Sequence, residues 1–151
     1  MPSVLFLCTG NYYRSRFAEM LFNHLAERRG LNWRADSRGL KLGWPGNVGP
    51  MSVHTRQRLN AMGIAIRDVN RMPIECTMDD LQEADQVIAV KEAEHRAMVR
   101  DKFGDWESRV KYWHVHDLDG AMPAEALDEI ERLVIELIDE LAARPVLTKA
   151  Q

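Results

Sequence analysis

Short apolar runs alternate along the chain with longer segments whose apolar residues recur at helical spacing. The runs Val4–Leu7 and Gln86–Val90 are nearly continuous, which is typical of strands buried on both faces of a sheet. We predict two weaker strands at Asn32–Asp36 and Val110–Trp113, and a short extended piece at Ala65–Val69. Strands that alternate with helices indicate an α/β fold, in which helices cover both faces of a parallel sheet.

The helices are predicted from their apolar faces and from the residues that begin and end helices. Small polar residues cap the first turn, glycine follows the last turn, and proline fits the first helical position. The first predicted helix carries Phe17, Met20, Leu21 and Leu25 and stops at Gly30, and the second runs from Ser52 to about Met62 and is closed by Gly63. A third helix is predicted to start at Thr77. The fourth spans Glu92–Lys102, and the fifth runs from Pro123 to a point before Pro145. The segment 37–50 is rich in glycine and proline and is predicted to be a long surface loop.

Length, charge and hydropathy narrow the class of protein. The 151 residues are predicted to form one domain, 1–151, which is long enough to bury a core. The formal net charge of −3 gives no electrostatic reason to expect a nucleic-acid partner. No apolar run approaches the length of a membrane span, and the first residues do not resemble a signal peptide. We therefore expect a cytoplasmic protein without membrane insertion, and its oligomeric state stays open.

The cysteines and histidines do not indicate a metal site. Cys8 and Cys76 are too few for a disulfide framework or a thiolate metal site. His114 and His116 form an HxH pair, but no third ligand type lies nearby in the sequence. We expect no metal and no cofactor, and we interpret Cys76 as a structural cysteine.

The segment between the first strand and the first helix is the most informative part of the chain. It consists of Cys8, Thr9, Gly10, Asn11, Tyr12, Tyr13, Arg14 and Ser15. Backbone N–H groups of such a loop can converge on an oxyanion, and the positive end of the following helix points to the same place. Arg14 adds a planar fork of donors that matches two phosphate oxygens. These positive groups favour the thiolate of Cys8, which is the nucleophilic form. The segment predicts a phosphate-binding loop with Cys8 as the nucleophile.

Other residues of this loop are predicted to support its shape. Gly10 suits a close approach and unusual torsions, and Asn11 tolerates a left-handed conformation. The Asn11 amide can also tie the loop to itself. Two roles stay open for Ser15, because its hydroxyl can donate to the sulfur or can cap the following helix.

Further segments extend the pattern around the Cys8 loop over nearly the whole chain. They are Val4–Asn11, Arg14-Ser15, Ala18-Glu19, Ala35–Ser37, Gly39-Leu40, Leu59–Gly63, Ala84-Asp85 and Val115–Asp117. In content and order they resemble the low-molecular-weight protein tyrosine phosphatase family. The resemblance implies a three-layer αβα fold of the phosphotyrosine phosphatase I-like type, with a four-stranded parallel sheet and the active site at the C-terminal edge of the strands. It also implies hydrolysis of phosphotyrosine through a phosphocysteine intermediate, without a metal.

The resemblance also implies roles for residues outside the loop. Asp117 matches the position of the family's general acid, which protonates the leaving oxygen and later takes a proton from water. Asp119 on the same segment is the alternative acid. Tyr12, Trp44 and Asp119 fall near positions that line the substrate pocket, although Trp44 can equally pack onto the domain. The expected substrate is a phosphotyrosine-containing protein or a small aryl phosphate.

Several positions depart from the family pattern. Tyr13 stands where a second cysteine is common, so a disulfide that traps the oxidised nucleophile is not expected. Arg16 replaces a proline and is predicted to add positive charge at the rim of the site, and Leu118 replaces the proline after the acid. The histidine that braces the loop from behind has no clear match, and Asp68 falls closest.

Two other functions stay open at this point. An arsenate reductase uses a similar loop, but it passes oxidation through further cysteines, and only Cys76 is available. A catalytically weak phosphotyrosine-binding module is the other alternative, because the departures lie near Asp117 and at Tyr12-Tyr13.

Overall fold

Four parallel strands and five α-helices make up the part of the fold that the structure describes. The computed structural model describes residues 1–115 and 123–144. The elements are β1 Ser3–Cys8, α1 Arg14–Arg28, β2 Arg34–Gly39, α2 Val53–Ala61, α3 Met78–Glu83, β3 Gln86–Ala89, α4 Glu92–Phe103, a 3-10 helix Gly104–Ser108, β4 Lys111–Tyr112 and α5 Pro123–Ala143. The strand order is β2-β1-β3-β4, and every neighbouring pair is parallel. The predicted four-stranded parallel sheet is confirmed.

Successive side chains of β1 enter two different cores. Phe6 and Cys8 belong to the larger core, which α1 and α5 complete. Leu5 and Leu7 face the opposite side of the sheet, where they join a smaller core with Val99 of α4. Because the side-chain period of a strand is two, neighbouring residues point to opposite faces. The predicted three-layer αβα arrangement is therefore confirmed.

Polar caps and glycines begin and end the helices where the sequence predicts. The Ser52 side chain caps α2, and Thr77 forms a capping box with Asp80 at the start of α3. Gly30 and Gly63 follow α1 and α2 with φ angles of 65° and 73°. Glycine adopts this left-handed conformation without strain, which explains why both helices end there.

The second strand is displaced from its predicted position because its buried face consists of small residues. It spans Arg34–Gly39 rather than Asn32–Asp36, and its buried residues are Ala35, Ser37 and Gly39. Such a face provides little apolar signal, so the hydropathy pattern alone misplaces the strand.

Two other predicted strands are shorter or absent. The fourth strand is limited to Lys111–Tyr112 instead of Val110–Trp113. The predicted extended piece at Ala65–Val69 is wrong, since residues 67–70 form bends and a turn. A few β-favouring residues without a neighbouring strand to pair with do not form a strand.

The C-terminal helix α5 packs one apolar face against α1 and α2. Its buried residues include Leu127, Ile130, Val134, Leu137 and Leu141, which are the apolar positions that the helical spacing predicts. Acidic residues occupy much of the other face, so α5 is amphipathic. Within the two described ranges, none of the helices combines the length and the apolar character needed to cross a membrane.

Candidate active site

The segment from Cys8 to Arg14 forms a loop whose first carbonyl groups point outwards. The carbonyl oxygens of Cys8 and Thr9 accept hydrogen bonds from Leu40 N at 2.9 Å and Lys41 N at 2.8 Å. In a trans peptide unit, the C=O of one residue and the N–H of the next point in opposite directions. The N–H groups of Thr9 and Gly10 therefore face the inside of the loop.

Residues at the start of α2 also hold the carbonyl groups of the second half of the loop outwards. Ser52 N donates to Tyr12 O at 2.8 Å, and Thr55 Oγ1 donates to Tyr13 O at 2.9 Å. By the same peptide geometry, the N–H groups of Tyr13 and Arg14 point inwards. Inward amides at the N-terminus of α1 give the loop the geometry of an anion cradle.

The tight turn of the loop falls on Asn11 and not on Gly10. Asn11 is fully buried and has a φ of 51°, the left-handed conformation that asparagine tolerates. Gly10 does not adopt a positive φ, but a Cβ there would lie 2.8 Å from Asn47 Nδ2. Gly39 of β2 is the more restricted position, because its Cβ would lie 2.9 Å from a backbone atom, Thr9 O. The predicted unusual torsion therefore belongs to Asn11 and not to Gly10, and the near neighbour of Gly10 is the movable end of the Asn47 side chain.

Cys8 lies at the base of the loop within hydrogen-bond reach of Ser15. The Cys8 Sγ–Ser15 Oγ distance is 2.8 Å, and Ser15 Oγ also accepts a hydrogen bond from Asn11 Nδ2 at 3.0 Å. Ser15 is not the cap of α1, whose N-cap is Tyr13 without a side-chain cap hydrogen bond. Of the two roles left open for Ser15, the geometry favours the hydrogen bond to the sulfur.

Arg14 is buried and is held by Glu94 from the first turn of α4. Arg14 Nη2 donates to Glu94 Oε2 at 2.9 Å. The Thr9 hydroxyl donates to the same oxygen, and His95 Nε2 lies 3.2 Å from it. One carboxylate oxygen therefore ties together both ends of the loop.

The surroundings of Glu94 favour its ionised form. The hydrogen bond with His95 and the charge of Arg14 hold the pKa of Glu94 well below its usual range, against the effect of burial. Burial lowers the pKa of His95, so its ring is neutral at physiological pH. Lys91 N donates to His95 Nδ1 at 3.1 Å, which leaves the ring proton on Nε2, facing Glu94 and the Thr9 hydroxyl.

Arg71, and not Asp68, braces the loop from behind. Arg71 Nη1 donates to Asn11 Oδ1 at 3.1 Å, and Nη2 donates to Ser37 O at 2.6 Å. Asp68 has a φ of 52° and accepts Arg71 N with its carbonyl, so it shapes the turn that presents the arginine. The sequence offers no clear match for the bracing histidine, and the residue that reaches the loop lies three positions beyond Asp68 on the same segment.

Arg16 is buried behind the loop and does not lie at its rim. Its side chain is 0% exposed, and Nη1 donates to Glu19 Oε1 at 3.1 Å. Among the described residues, Arg16 Nε and Nη2 have no hydrogen-bond partner. Glu19 Oε1 also accepts the Ser37 hydroxyl at 2.5 Å, and burial raises the pKa of Glu19. The prediction of a charged rim at Arg16 is wrong, because this position falls on the inner face of α1.

Tyr12 and Trp44 lie at the outer side of the loop. The Tyr12 hydroxyl donates to Val48 O at 2.8 Å, which fixes its ring against the segment 44–49. Trp44 is 50% exposed, and its Cδ1 would lie 4.0 Å from a Cβ built on Gly10. The Trp44 ring therefore borders the loop and is not packed into either core.

The two candidate acids lie outside the described residues. Asp117, Leu118 and Asp119 all fall in the segment 116–122, and so does His116 of the HxH pair. The assignment of the general acid and the pocket role of Asp119 stay predictions.

Cys76 lies on the opposite side of the sheet from Cys8. Cys8 belongs to the larger core with Phe6, whereas Cys76 belongs to the smaller core with Leu7. Burial raises the pKa of the Cys76 thiol to about 12. A buried thiol of this kind behaves as a small apolar side chain, in agreement with the structural interpretation.

Three residues that support the loop have no signal in the sequence: Glu94, His95 and Arg71. Each is distant from Cys8 along the chain, and each lies in a charged or irregular segment. An acid in the first turn of a helix commonly interacts with the helix dipole, so Glu94 had an ordinary local explanation. Only the folded chain places these side chains against the loop.

Proteins of known sequence and structure share this architecture. The chain is similar to the protein-arginine-phosphatase of Bacillus subtilis (strain 168), with 33% identity over 107 residues, 71% of this chain and 67% of that protein. It is similar to the low molecular weight protein-tyrosine-phosphatase YfkJ of the same organism, with 34% identity over 109 residues, 69% of this chain and 65% of that protein. The chain thus spans about two thirds of the length of these curated relatives. The crystal structure of YfkJ superimposes with a TM-score of 0.77 and 29% identity, covering 94% of this chain and 95% of that chain.

The match to a family model extends well beyond the loop. The model described as low molecular weight phosphotyrosine protein phosphatase matches residues 3–146, a range that contains the Cys8 loop and all four strands. The chain therefore belongs to the low molecular weight phosphotyrosine protein phosphatase family.

Proposed function

We propose that the protein hydrolyses phosphotyrosine in proteins, or small aryl phosphates, through a phosphocysteine intermediate. The observation that carries this proposal is the 2.8 Å contact between Cys8 Sγ and Ser15 Oγ at the base of a loop with inward amides. A nucleophilic sulfur, an anion cradle and a buried guanidinium on Arg14 are the components that phosphoryl transfer to cysteine needs.

The first step transfers the phosphoryl group from the substrate oxygen to Cys8. The thiolate attacks phosphorus, the S–P bond forms, and the bond from phosphorus to the leaving oxygen breaks. The loop amides and Arg14 stabilise the charge on the equatorial oxygens. Asp117 gives its proton to the leaving oxygen, so that a neutral phenol departs.

The second step returns the enzyme to its starting state. A water molecule attacks phosphorus and gives its proton to the Asp117 carboxylate. The S–P bond breaks, inorganic phosphate forms, and the sulfur leaves as a thiolate. The Ser15 hydroxyl stabilises that thiolate by donating a hydrogen bond.

The walls of the proposed substrate pocket are Tyr12, Trp44 and Asp119. Tyr12 is fixed by its hydrogen bond to Val48 O, and half of the Trp44 surface is exposed beside the loop. Aromatic rings in these positions favour a flat aromatic leaving group over a flexible alkyl phosphate.

Turnover of p-nitrophenyl phosphate by the wild type and by Cys8→Ser tests the nucleophile. We expect Cys8→Ser to lose turnover and to keep phosphate binding, because the loop amides and Arg14 remain. Cys76→Ser is the matched control and is expected to keep wild-type turnover. Wild-type rates in Cys8→Ser would exclude the phosphocysteine route. Phosphotyrosine binding by the wild type without any turnover would favour the binding-module alternative.

The general acid is tested by the dependence of the rate on the leaving group. Asp117→Ala should slow phenyl phosphate far more than a substrate with a very acidic leaving group, which needs less protonation. The same comparison with Asp119→Ala is the control. Equal losses for both substrates in Asp117→Ala would move the acid to Asp119 or to another residue.

An arsenate reductase is less well supported, because its chemistry needs further accessible thiols. Cys76 lies on the other side of the sheet, and its thiol pKa of about 12 leaves it protonated at neutral pH. We expect no arsenate-dependent consumption of thiols by the purified protein. Such consumption at a rate above that of phosphate-ester hydrolysis would reverse this choice.

A protein-arginine phosphatase is the second candidate, because a curated relative with 33% identity carries that name. The two substrates differ in the leaving group, which is a phenol for phosphotyrosine and a guanidine for phosphoarginine. We expect a phosphotyrosine peptide to have the higher kcat/KM, because Tyr12 and Trp44 offer aromatic surface. A higher kcat/KM for the matching phosphoarginine peptide would assign the second function.

The proposed setting is the cytoplasm. Both cysteines are free, as a reducing compartment requires. The absence of a second thiol at Tyr13 means that peroxide should inactivate Cys8 without a protective disulfide within the loop.

A further inference from the structure

We propose that Tyr12 is a positioning residue for Trp44: its hydroxyl holds the segment 42–51 beside the Cys8 loop, so that the Trp44 ring forms the outer wall of the pocket. This inference rests on the proposed function where turnover is concerned, because the wall would contact the ring of the substrate. The position of Trp44 can be measured without turnover. Tyr12 thus acts on selectivity through its oxygen, in addition to the surface that its ring provides.

Both ends of the segment 42–51 are attached to the Cys8 loop through the backbone. Lys41 N donates to Thr9 O at 2.8 Å, and Ser52 N donates to Tyr12 O at 2.8 Å. The residues between these two contacts include three glycines, each with a positive φ. Glycine restricts the backbone less than any other residue, so the two fixed ends alone leave the middle of the segment many conformations.

The Tyr12 hydroxyl makes the hydrogen bonds that hold the middle of the segment. It donates to Val48 O at 2.8 Å and accepts a hydrogen bond from Val48 N at 3.3 Å. Within residues 1–115 and 123–144, no other hydrogen bond or ion pair joins the segment 42–51 to the rest of the chain. Packing adds little, because residues 43–48 are all exposed. A single oxygen therefore sets where the middle of the segment lies.

A β-turn next to Val48 presents Trp44 to the loop. Asn47 N donates to Trp44 O at 3.2 Å. Pro45 and Gly46 stand between these two residues, and Gly46 has a φ of 88°. This pattern is typical of a type II turn, in which proline and glycine occupy the two central positions. Because the turn keeps its own shape, a displacement of Val48 should displace Trp44 with it.

The Trp44 ring lies beside Gly10, where an aromatic leaving group would leave the loop. Its Cδ1 would lie 4.0 Å from a Cβ built on Gly10. A substrate ring can stack on an aromatic wall, whereas inorganic phosphate needs only the loop amides and Arg14. A wall that is ordered before the substrate arrives lowers the entropy cost of binding. Loss of the Tyr12 hydroxyl should therefore weaken aryl binding more than phosphate binding.

The first measurement is fluorine NMR of the protein labelled with 5-fluorotryptophan. The Trp44 resonance is identified by its absence in Trp44→Phe, and the three other tryptophans are internal references. Tyr12→Phe keeps the ring and removes one exposed oxygen, so the variant is expected to fold, which circular dichroism checks. In this variant, we expect the Trp44 resonance to move towards that of free 5-fluorotryptophan, because the segment is released. The other three resonances should not move.

The second measurement compares an aryl substrate with inorganic phosphate. Tyr12→Phe should raise KM for p-nitrophenyl phosphate about fivefold, as the loss of a hydrogen bond predicts, and should lower kcat less. The inhibition constant of inorganic phosphate should change by less than about twofold. Tyr112→Phe is the matched control, because Tyr112 on β4 donates to Glu107 O at the same distance of 2.8 Å. In a Trp44→Ala background, Tyr12→Phe should add no further rise in KM, since the wall is gone.

The outcomes are distinguishable. An unmoved Trp44 resonance in Tyr12→Phe would overturn the proposal, and so would the same rise in KM with and without Trp44. Equal weakening of p-nitrophenyl phosphate and inorganic phosphate would assign the hydroxyl to the phosphate cradle and would also overturn it. A wild type that hydrolyses no phosphate ester would refute the proposed function, whereas a shifted Trp44 resonance would still support the positioning role of Tyr12.

Discussion

Glu94 and Glu19 are two carboxylates beside the same loop, each paired with an arginine, yet their protonation is shifted in opposite directions. Glu94 pairs with Arg14 on the side of the loop that faces α4, which we call the front. The hydrogen bond with His95 is the largest influence that lowers the pKa of Glu94. Glu19 pairs with Arg16 behind the loop, on the side that we call the back. Burial raises the pKa of Glu19.

The difference comes from the number of donors and from access to water. Glu94 Oε2 faces three donors, and 32% of the side chain is exposed. Glu19 Oε1 receives two hydrogen bonds, and only 11% of the side chain is exposed. An ion pair therefore does not by itself ensure that a buried carboxyl is ionised, because desolvation can exceed the attraction of one neighbouring charge. We infer that the carboxyl that holds Arg14 stays ionised, whereas burial favours the neutral form of the carboxyl behind the loop.

The largest expected effect is at Arg14, on the front of the loop. Arg14→Lys should lower kcat/KM for p-nitrophenyl phosphate by about 100-fold, because a point charge cannot bind two oxygens and Glu94 in one plane. Arg67→Lys, in an exposed ion pair, is the control and should keep wild-type activity. Steady-state kinetics at pH 6 measure both. Retained activity in Arg14→Lys would remove the guanidinium from the proposed mechanism.

A smaller effect is expected at Glu94, which holds Arg14 and Thr9. Glu94→Gln should lower kcat/KM and weaken inhibition by phosphate by about tenfold each, because hydrogen bonds to a charged acceptor are stronger than those to an amide. Glu92→Gln is the matched control on the same helix, where Glu92 forms an ion pair with Arg96. Equal losses in the two variants would mean that the charge near α4, and not the contact with Arg14, matters.

The smallest expected effect is on the free energy of unfolding, whose dependence on pH should have opposite signs for Glu19 and Glu94. The raised pKa of Glu19 adds stability below the unfolded value near 4.5, and this stability is lost as the pH rises through the folded value. Glu19→Gln should therefore gain stability relative to the wild type as the pH rises from 4.5. Urea unfolding at several pH values measures the difference, with Glu27→Gln as the exposed control.

The same measurement on Glu94→Gln should give the opposite trend. The lowered pKa of Glu94 adds stability above the unfolded value near 4.5, which is lost as the pH falls. The wild type should therefore exceed Glu94→Gln in stability at neutral pH, and the difference should shrink in acid. Parallel trends in the two variants would contradict the contrast between front and back.

The elements with clear local signals could be predicted from the sequence. The run Val4–Leu7 and the caps at Ser52 and Thr77 fix three element positions, and the structure has them where they were predicted. The strand β2 was misplaced, because Ala35 and Ser37 make a buried face without an apolar pattern.

Some residues of the candidate site could also be predicted from the sequence, and others depend on the fold. The residues of the Cys8–Ser15 loop are adjacent in the chain, so their chemistry can be read from the order of residues. Arg16 was expected at the rim and is buried, because its direction depends on how α1 packs on the rest of the fold. The bracing residue had no clear match in the sequence, where Asp68 fell closest; Arg71 has that place, because a turn between them decides which side chain reaches Asn11.

The sequence by itself determined the αβα order, the nucleophile candidate and the loop around it, since these depend on periodicity and on neighbouring residues. Only the tertiary structure decided which distant side chains support the loop: Glu94 and His95 from one side, and Arg71 and Glu19 from the other. The reason is physical, because hydrogen-bond direction, burial and protonation depend on atoms that the fold brings within about 3 Å of one another.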